Sequence, residues 1–161
     1  MRTGVRLGVD VGKVRIGVAR SDDAPMLAMP IETVARAGDT GDDLRTILGH
    51  ALEFGAVEIV VGLPLSLSGG DTPSTGDARL FASRLAVAAS PTPVRLVDER
   101  LSTVTAQGQL RQAGRSSKKQ RSVVDQVAAV IILQHAIDLE RSSGRPPGAL
   151  VPSEATPDEG R

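Results

Sequence analysis

The stretch that most constrains the fold is GVDVGKVRIGVA, residues 8–19. On both sides of Gly12, apolar residues alternate with polar residues or glycine, and this period-two pattern predicts two strands joined by a tight turn. Gly12 is expected to supply the positive φ that such turns usually need. Asp10 would then end an otherwise apolar strand, where a poorly solvated carboxylate needs a cation or a hydrogen-bond donor beside it.

The rest of the chain alternates strand patterns with helix patterns. Pro30 weakens the third strand and favours an edge position for it. The order of elements, β-β-β-α-β-α-β-α-α, predicts an α/β fold in which helices cover the faces of a mixed sheet. After the opening hairpin, we predict strands at 27–34, 56–63 and 94–97 and helices at about 44–52, 78–88, 102–113 and 122–140.

Length and composition exclude several classes of protein. The 161 residues fit one domain, which we place at residues 1–142, and residues 143–161 have the composition of a disordered tail. The chain has no cysteine, so disulfides and thiolate metal sites are excluded. Without an apolar run of about 18 residues or a signal peptide, a cytoplasmic protein with no membrane partner is expected. A net charge of zero means that any affinity for nucleic acid must come from local clusters of charge. An aromatic content of 1% argues against a protein that stacks single-stranded bases.

Three carboxylates carry the functional hypothesis. Asp10 ends the first strand, Glu99 follows the last predicted strand, and Asp125 lies in the first turn of the last predicted helix. They would converge if those two strands are close and the helix packs across them. Clustered carboxylates raise one another's pKa unless a divalent cation lies among them, and oxygen ligands suit Mg²⁺ or Mn²⁺. Two such ions can activate a water and stabilise the leaving oxygen in phosphodiester cleavage.

Each acid also has an ordinary structural interpretation. Asp10 could cap the turn, because Asp favours turns. Glu99 could be a surface acid beside Arg100. Asp125 could complete a capping box with Ser122. Taken singly, these alternatives are at least as good as the functional interpretation, which depends on the three acids meeting.

Basic residues near the acids are candidate phosphate contacts. The run RQAGRSSKKQR, residues 111–121, holds five basic residues and no acid, and it could be a solvated loop or a phosphate clamp. The candidates for contacting nucleic acid are Lys13, Arg15, Arg100, Lys118 and Lys119.

Four stretches resemble one known family. GVDVGKVRIGVA, VVGLPLSLSG, VDERLST and KKQRSVVDQVAAVIILQ are similar, in this order, to motifs of the YqgF family of RNase H-like proteins, also called Holliday junction resolvases. The resemblance spans about residues 7–138. It implies an RNase H-like fold, in which a five-stranded mixed sheet, an antiparallel three-strand meander plus parallel strands, is flanked by helices. It also implies a metal-dependent nuclease whose acids are Asp10, Glu99 and Asp125.

The chain departs from the family pattern at two places. The usual pair of basic residues after the glycine turn is replaced by Lys13-Val14-Arg15, and Ser66 stands where the family commonly has asparagine. Both positions concern substrate contacts rather than the acids.

The predicted function is a metal-dependent endonuclease that uses two Mg²⁺ or Mn²⁺ ions on structured nucleic acid. Its substrate would be either the 5′ end of the small-subunit ribosomal RNA precursor or a Holliday junction, and a two-fold junction would need a homodimer. One alternative is a nucleic-acid-binding module without catalysis. A phosphotransferase of the actin type shares the Asp-x-Gly hairpin but needs a duplicated domain, for which 161 residues lack room.

Overall fold

The fold is built on one mixed sheet with helices on both faces. The computed structural model describes residues 2–100 and 118–153, and within them the strands lie in the order β3-β2-β1-β4-β5-β6. The strands are β1 (Arg6–Val11), β2 (Arg15–Ser21), β3 (Ala28–Ala35), β4 (Glu58–Leu63), β5 (Val94–Asp98) and β6 (Ala149–Leu150). The helices are α1 (Asp42–Phe54), α2 (Pro73–Ala89) and α3 (Lys118–Ser143), with a short 3₁₀ helix at Gly38–Thr40.

The pairing of the strands confirms the predicted mixed sheet. Strands β1, β2 and β3 form an antiparallel meander, while β1–β4 and β4–β5 are parallel pairs. Strand β3 is at the edge, as Pro30 predicted, and its register with β2 shifts between Val18 and Ala19. The described part of the sheet has six strands rather than five, because β6 pairs antiparallel with β5.

Each face of the sheet packs its own hydrophobic core. Leu7 and Val9 of β1 point to the face covered by α1 and α2, whose core includes Phe81 and Leu85. The opposite face is covered by α3, whose buried side chains include Leu133. Because side chains alternate along a strand, Asp10 shares the α3 face with Gly8.

The hairpin turn uses its glycine for space rather than for a positive φ. The backbone N–H of Gly12 donates to the Arg15 carbonyl oxygen at 2.9 Å. Gly12 does not have a positive φ, so that expectation is wrong. A Cβ at Gly12 would instead lie 2.6 Å from the same carbonyl oxygen, and the close approach of the two strands therefore requires glycine.

Helix α3 begins earlier than its sequence pattern suggested. It includes Lys118, so the predicted start at Ser122 is wrong. Ser122 therefore lies inside the helix and cannot be its N-cap, which removes the capping-box interpretation of Asp125. The predicted helix at 102–113 and residues 111–117 of the basic run lie outside the described residues.

The chain beyond α3 continues the sheet. Ala149–Leu150 forms β6, and the Val151 side chain is only 5% exposed and packs into the core beneath α1 and α2. The prediction of a disordered tail from residue 143 is therefore wrong as far as residue 153, while residues 154–161 lie outside the described part. Among the helices in the described ranges, none combines the length and the apolar character needed to cross a membrane.

Candidate active site

Helix α3 rests on glycines of three neighbouring strands. A Cβ at Gly17 of β2 would overlap the backbone carbonyl of Asp125. At Gly8 of β1, a Cβ would lie 2.7 Å from the Leu133 Cβ and 3.0 Å from the Ala129 carbonyl oxygen. These glycines allow the backbone of α3 to lie directly on the sheet. Since Gly17 is the direct register partner of Asp10, the same contact brings Asp125 close to Asp10.

The two aspartates form the electrostatic centre of the site. Burial and, secondarily, the negative charge of Asp125 raise the pKa of Asp10 to about 7. Burial disfavours the charged carboxylate, and a second carboxylate nearby disfavours it further. The structure therefore brings Asp10 of the first strand and Asp125 of the last helix close together, as predicted. A carboxyl in this position is stabilised by a proton or by a cation.

Arg15 is the counterion of Asp125. Its Nε donates to Asp125 Oδ2 at 2.8 Å, and the two side chains are 33% and 19% exposed. Arg15 was predicted to contact phosphate, but in the structure its guanidinium is held by one of the acids. The position that departs from the family pattern, Lys13-Val14-Arg15, thus places a cation at the site.

Glu99 lies on the same face, over the other neighbour of β1. Its side chain is 7% exposed, and its Oε2 occupies the space that a Cβ at Gly62 of β4 would fill. The interpretation of Glu99 as a surface acid beside Arg100 is therefore wrong. Arg100 pairs instead with Asp98, with its Nε 2.9 Å from Oδ2, and this contact lowers the pKa of Asp98.

The remaining predicted phosphate contacts are placed here only by their position in the fold. Lys13 is exposed in the turn between β1 and β2, and Lys118 and Lys119 stand in the first turn of α3. Ser66 forms a local turn, in which its Oγ accepts from the Gly70 N–H at 2.9 Å.

The donor chemistry of the acids suits a hard divalent cation. Asp10, Asp125 and Glu99 offer only carboxylate oxygens, and the raised pKa of Asp10 reflects its burial and, to a lesser degree, the nearby charge of Asp125. Within residues 2–100 and 118–153, however, no three His, Cys, Asp or Glu side chains already stand close enough together to bind one metal ion. The structure thus couples Asp10 to Asp125 and places Glu99 directly after β5, with its carboxylate over Gly62 of β4.

The sequence interpretation missed Arg36, which holds the hairpin in place. Its Nη1 donates to the Gly12 carbonyl oxygen and to Asp77 Oδ2, both at 2.8 Å, and its Nη2 donates to Asp77 Oδ1 at 3.1 Å. Arg36 thus ties the turn that follows Asp10 to helix α2. The sequence interpretation also missed the role of the glycines beneath α3. A signal was available, because Gly8, Gly17 and Gly62 interrupt apolar strands at positions that face the same side of the sheet.

Comparisons with known proteins identify the family of the chain. A family model described as "RuvX: Holliday junction resolvase" matches residues 4–139. Proteins named "Putative pre-16S rRNA nuclease" are 62% identical in Clavibacter michiganensis over 152 residues, 94% of each chain, and 60% identical in Leifsonia xyli over 148 residues, 92% of this chain and 94% of that one.

Solved structures support the fold. Thermus thermophilus RuvC in complex with a Holliday junction substrate has a TM-score of 0.51 at 16% identity, covering 89% of this chain and 99% of that chain. At this identity the likeness concerns the fold, which is RNase H-like as the sequence motifs implied. The family match, the relatives and the fold agree with one another: the chain belongs to the RuvX family of Holliday junction resolvases and is a nuclease.

Proposed function

We propose that this nuclease is a metal-dependent endonuclease whose acids Asp10, Glu99 and Asp125 hold two Mg²⁺ or Mn²⁺ ions. The observation that carries the proposal is the Asp10 carboxyl, whose pKa is raised to about 7 by burial and further by the negative charge of Asp125. A carboxylate that is largely shielded from water beside a second carboxylate is costly unless a cation compensates it. Such an arrangement is a functional-site candidate rather than a feature that stabilises the fold.

The bound ions would supply an activated water and stabilise charge on the leaving 3′ oxygen. The residues of the chain position the substrate around them. Lys13, exposed at the hairpin turn, is available to a backbone phosphate, and Arg36 fixes the turn that carries it. Since the protein contributes little covalent chemistry to phosphodiester cleavage, this positioning and the charge distribution determine the rate.

The substrate that the comparisons favour is the ribosomal RNA precursor. The relatives named for pre-16S rRNA match nearly the whole chain at 60% identity and above, whereas the solved RuvC–junction complex shares 16%. We therefore place the enzyme in the cytoplasm, acting on precursor 16S rRNA. A four-way junction is the second candidate, which the name of the matching family favours, and resolving it would require two sites related by symmetry and hence a homodimer.

The test offers both substrates to the purified protein. A 5′ fragment of precursor 16S rRNA and a synthetic four-way DNA junction are incubated with Mg²⁺ or Mn²⁺, and the products are mapped. Asp10→Asn and Asp125→Asn are each expected to lower cleavage by more than about 100-fold, since even supporting groups of metal sites cost 10- to 100-fold. Asp138→Asn, which removes an exposed carboxylate from the same helix α3, should cleave at the wild-type rate.

Three outcomes would count against the proposal. Cleavage at the wild-type rate by the Asp10→Asn variant would show that Asp10 is not needed for the reaction. Cleavage that persists in EDTA would show that the reaction does not require a divalent metal ion. Tight binding of either substrate without cleavage under any divalent ion would favour a nucleic-acid-binding module that has lost catalysis.

A further inference from the structure

We propose that Arg15 exchanges Asp125 for a phosphate when the divalent ions bind, so that metal loading strengthens nucleic-acid binding. This inference rests on the proposed function, because it requires the acids to hold a metal. It assigns to Arg15 two alternating partners, an acid in the metal-free protein and the nucleic-acid backbone in the loaded one.

The structure shows Arg15 paired with the acid. The Arg15 Nε donates to Asp125 Oδ2 at 2.8 Å, and the guanidinium is the cation that partly offsets the charge of the acid pair. Arg15 is the first residue of β2, next to the turn that carries the exposed Lys13. With 33% of its side chain exposed, Arg15 is open to solvent on one side. A phosphate arriving from solvent can therefore reach its side chain.

The exchange follows from competition between the metal and Arg15 for one carboxylate. A cation bound by Asp125 takes electron density from the same carboxylate that now accepts the Arg15 hydrogen bond. The guanidinium and the metal also repel each other at short range. Loading the site therefore weakens the ion pair, and the released guanidinium, with five donors in a planar fork, is suited to bind a phosphate.

The exchange makes the binding of the divalent metal and the binding of nucleic acid cooperative. Before metal binds, Arg15 is occupied and competes with the metal for Asp125. After metal binds, Arg15 contributes to nucleic-acid affinity. By linkage, nucleic acid must then tighten metal binding by the same factor.

The test measures metal binding without nucleic acid. Mn²⁺ is titrated calorimetrically into wild-type protein, Arg15→Gln, Arg15→Lys and Arg79→Gln. Removing a competing, partly exposed ion pair is expected to tighten Mn²⁺ binding in Arg15→Gln by about 3- to 5-fold. Arg79→Gln removes an equal charge from an exposed pair with Asp71 and is expected to bind Mn²⁺ as the wild type does.

The second arm measures binding of a 5′ fragment of precursor 16S rRNA with and without Ca²⁺, which prefers the same oxygen ligands, and the integrity of the RNA is checked on a gel. Ca²⁺ should strengthen binding to the wild type clearly more than to Arg15→Gln. Arg15→Lys, which keeps the charge but not the fork, should lie between them, and circular dichroism verifies that every variant is folded.

The outcomes separate the two proposals. Unchanged or weaker Mn²⁺ binding in Arg15→Gln, with a wild type that binds Mn²⁺ and cleaves, overturns the exchange alone. Equal Ca²⁺ effects on wild type and Arg15→Gln overturn it as well. A wild type that neither binds Mn²⁺ nor cleaves overturns the proposed function, and the exchange with it.

Discussion

The strongest quantitative prediction concerns the cost of keeping Asp10 charged in the metal-free protein. The pKa of Asp10 is raised from 3.8 to about 7, mainly by burial and further by Asp125. At pH values between these two pKa values, Asp10 is therefore protonated in the folded state and ionised in the unfolded state. In this interval the stabilisation from the bound proton falls as pH rises, and above pH 7 it is gone.

The magnitude follows from linkage. Each pH unit between the unfolded and the folded pKa lowers the free energy of unfolding by about 1.4 kcal/mol. Between pH 5 and pH 8, Asp10 should therefore remove about 2.5 kcal/mol of stability from the metal-free wild type. Asp10→Asn has no such titration. Relative to wild type, the free energy of unfolding of the variant should therefore rise by about 2.5 kcal/mol from pH 5 to pH 8. The variant should also lose cleavage.

The assay is urea denaturation in EDTA at pH 5, 6, 7 and 8. The chain has no tryptophan and no tyrosine, so unfolding is followed by circular dichroism of the helices. Asp138→Asn, from an exposed position on α3, is the control and should follow the wild-type curve at every pH. Adding Mg²⁺ at pH 8 should restore stability to the wild type but not to Asp10→Asn, because the cation replaces the missing proton.

Parallel stability curves for wild type and Asp10→Asn would refute this reasoning. They would mean that Asp10 is solvated or paired well enough to ionise at no cost. There would then be no electrostatic reason to expect a cation beside it. A Mg²⁺ effect of equal size on both proteins would likewise place the ion elsewhere.

The remaining predictions test the packing that builds the site. Gly17→Ala should destabilise the fold by about 1–3 kcal/mol and reduce cleavage, because its Cβ overlaps the Asp125 carbonyl and lifts α3; Gly49→Ala in α1, where a Cβ meets nothing within 4 Å, should instead stabilise by up to about 1 kcal/mol in the same urea assay. Val151→Ser should cost about 1–3 kcal/mol, whereas Leu150→Ser beside it, 58% exposed, should stay within about 0.5 kcal/mol, and equal effects would contradict the docking of the C-terminal strand.

The sequence alone identified the hairpin, the edge position of the third strand and the acids at the strand ends. These features follow from local rules, since alternation of apolar residues sets strand faces and proline removes a ladder donor. They also explain why Asp10 was recognisable as a residue that needs a cation or a hydrogen-bond donor beside it. The family motifs added the RNase H-like topology, which the strand order confirms.

Local rules failed where a residue's role depends on distant parts of the chain. Gly12 was interpreted by its φ, but it is needed because two strands approach closely there. Ser122 matched a helix cap, yet α3 includes Lys118 and passes straight through it. The C-terminal segment has the composition of a disordered tail, but the open edge of β5 offers it a hydrogen-bonding partner.

The sequence by itself therefore determined which groups need a partner, and the tertiary structure decided which partner each one meets. Nothing in the local pattern pairs Arg15 with Asp125, 110 positions away, or brings Asp125 close to Asp10. That arrangement exists because glycines on adjacent strands let α3 descend onto the sheet, and only the packed chain determines where two such surfaces touch.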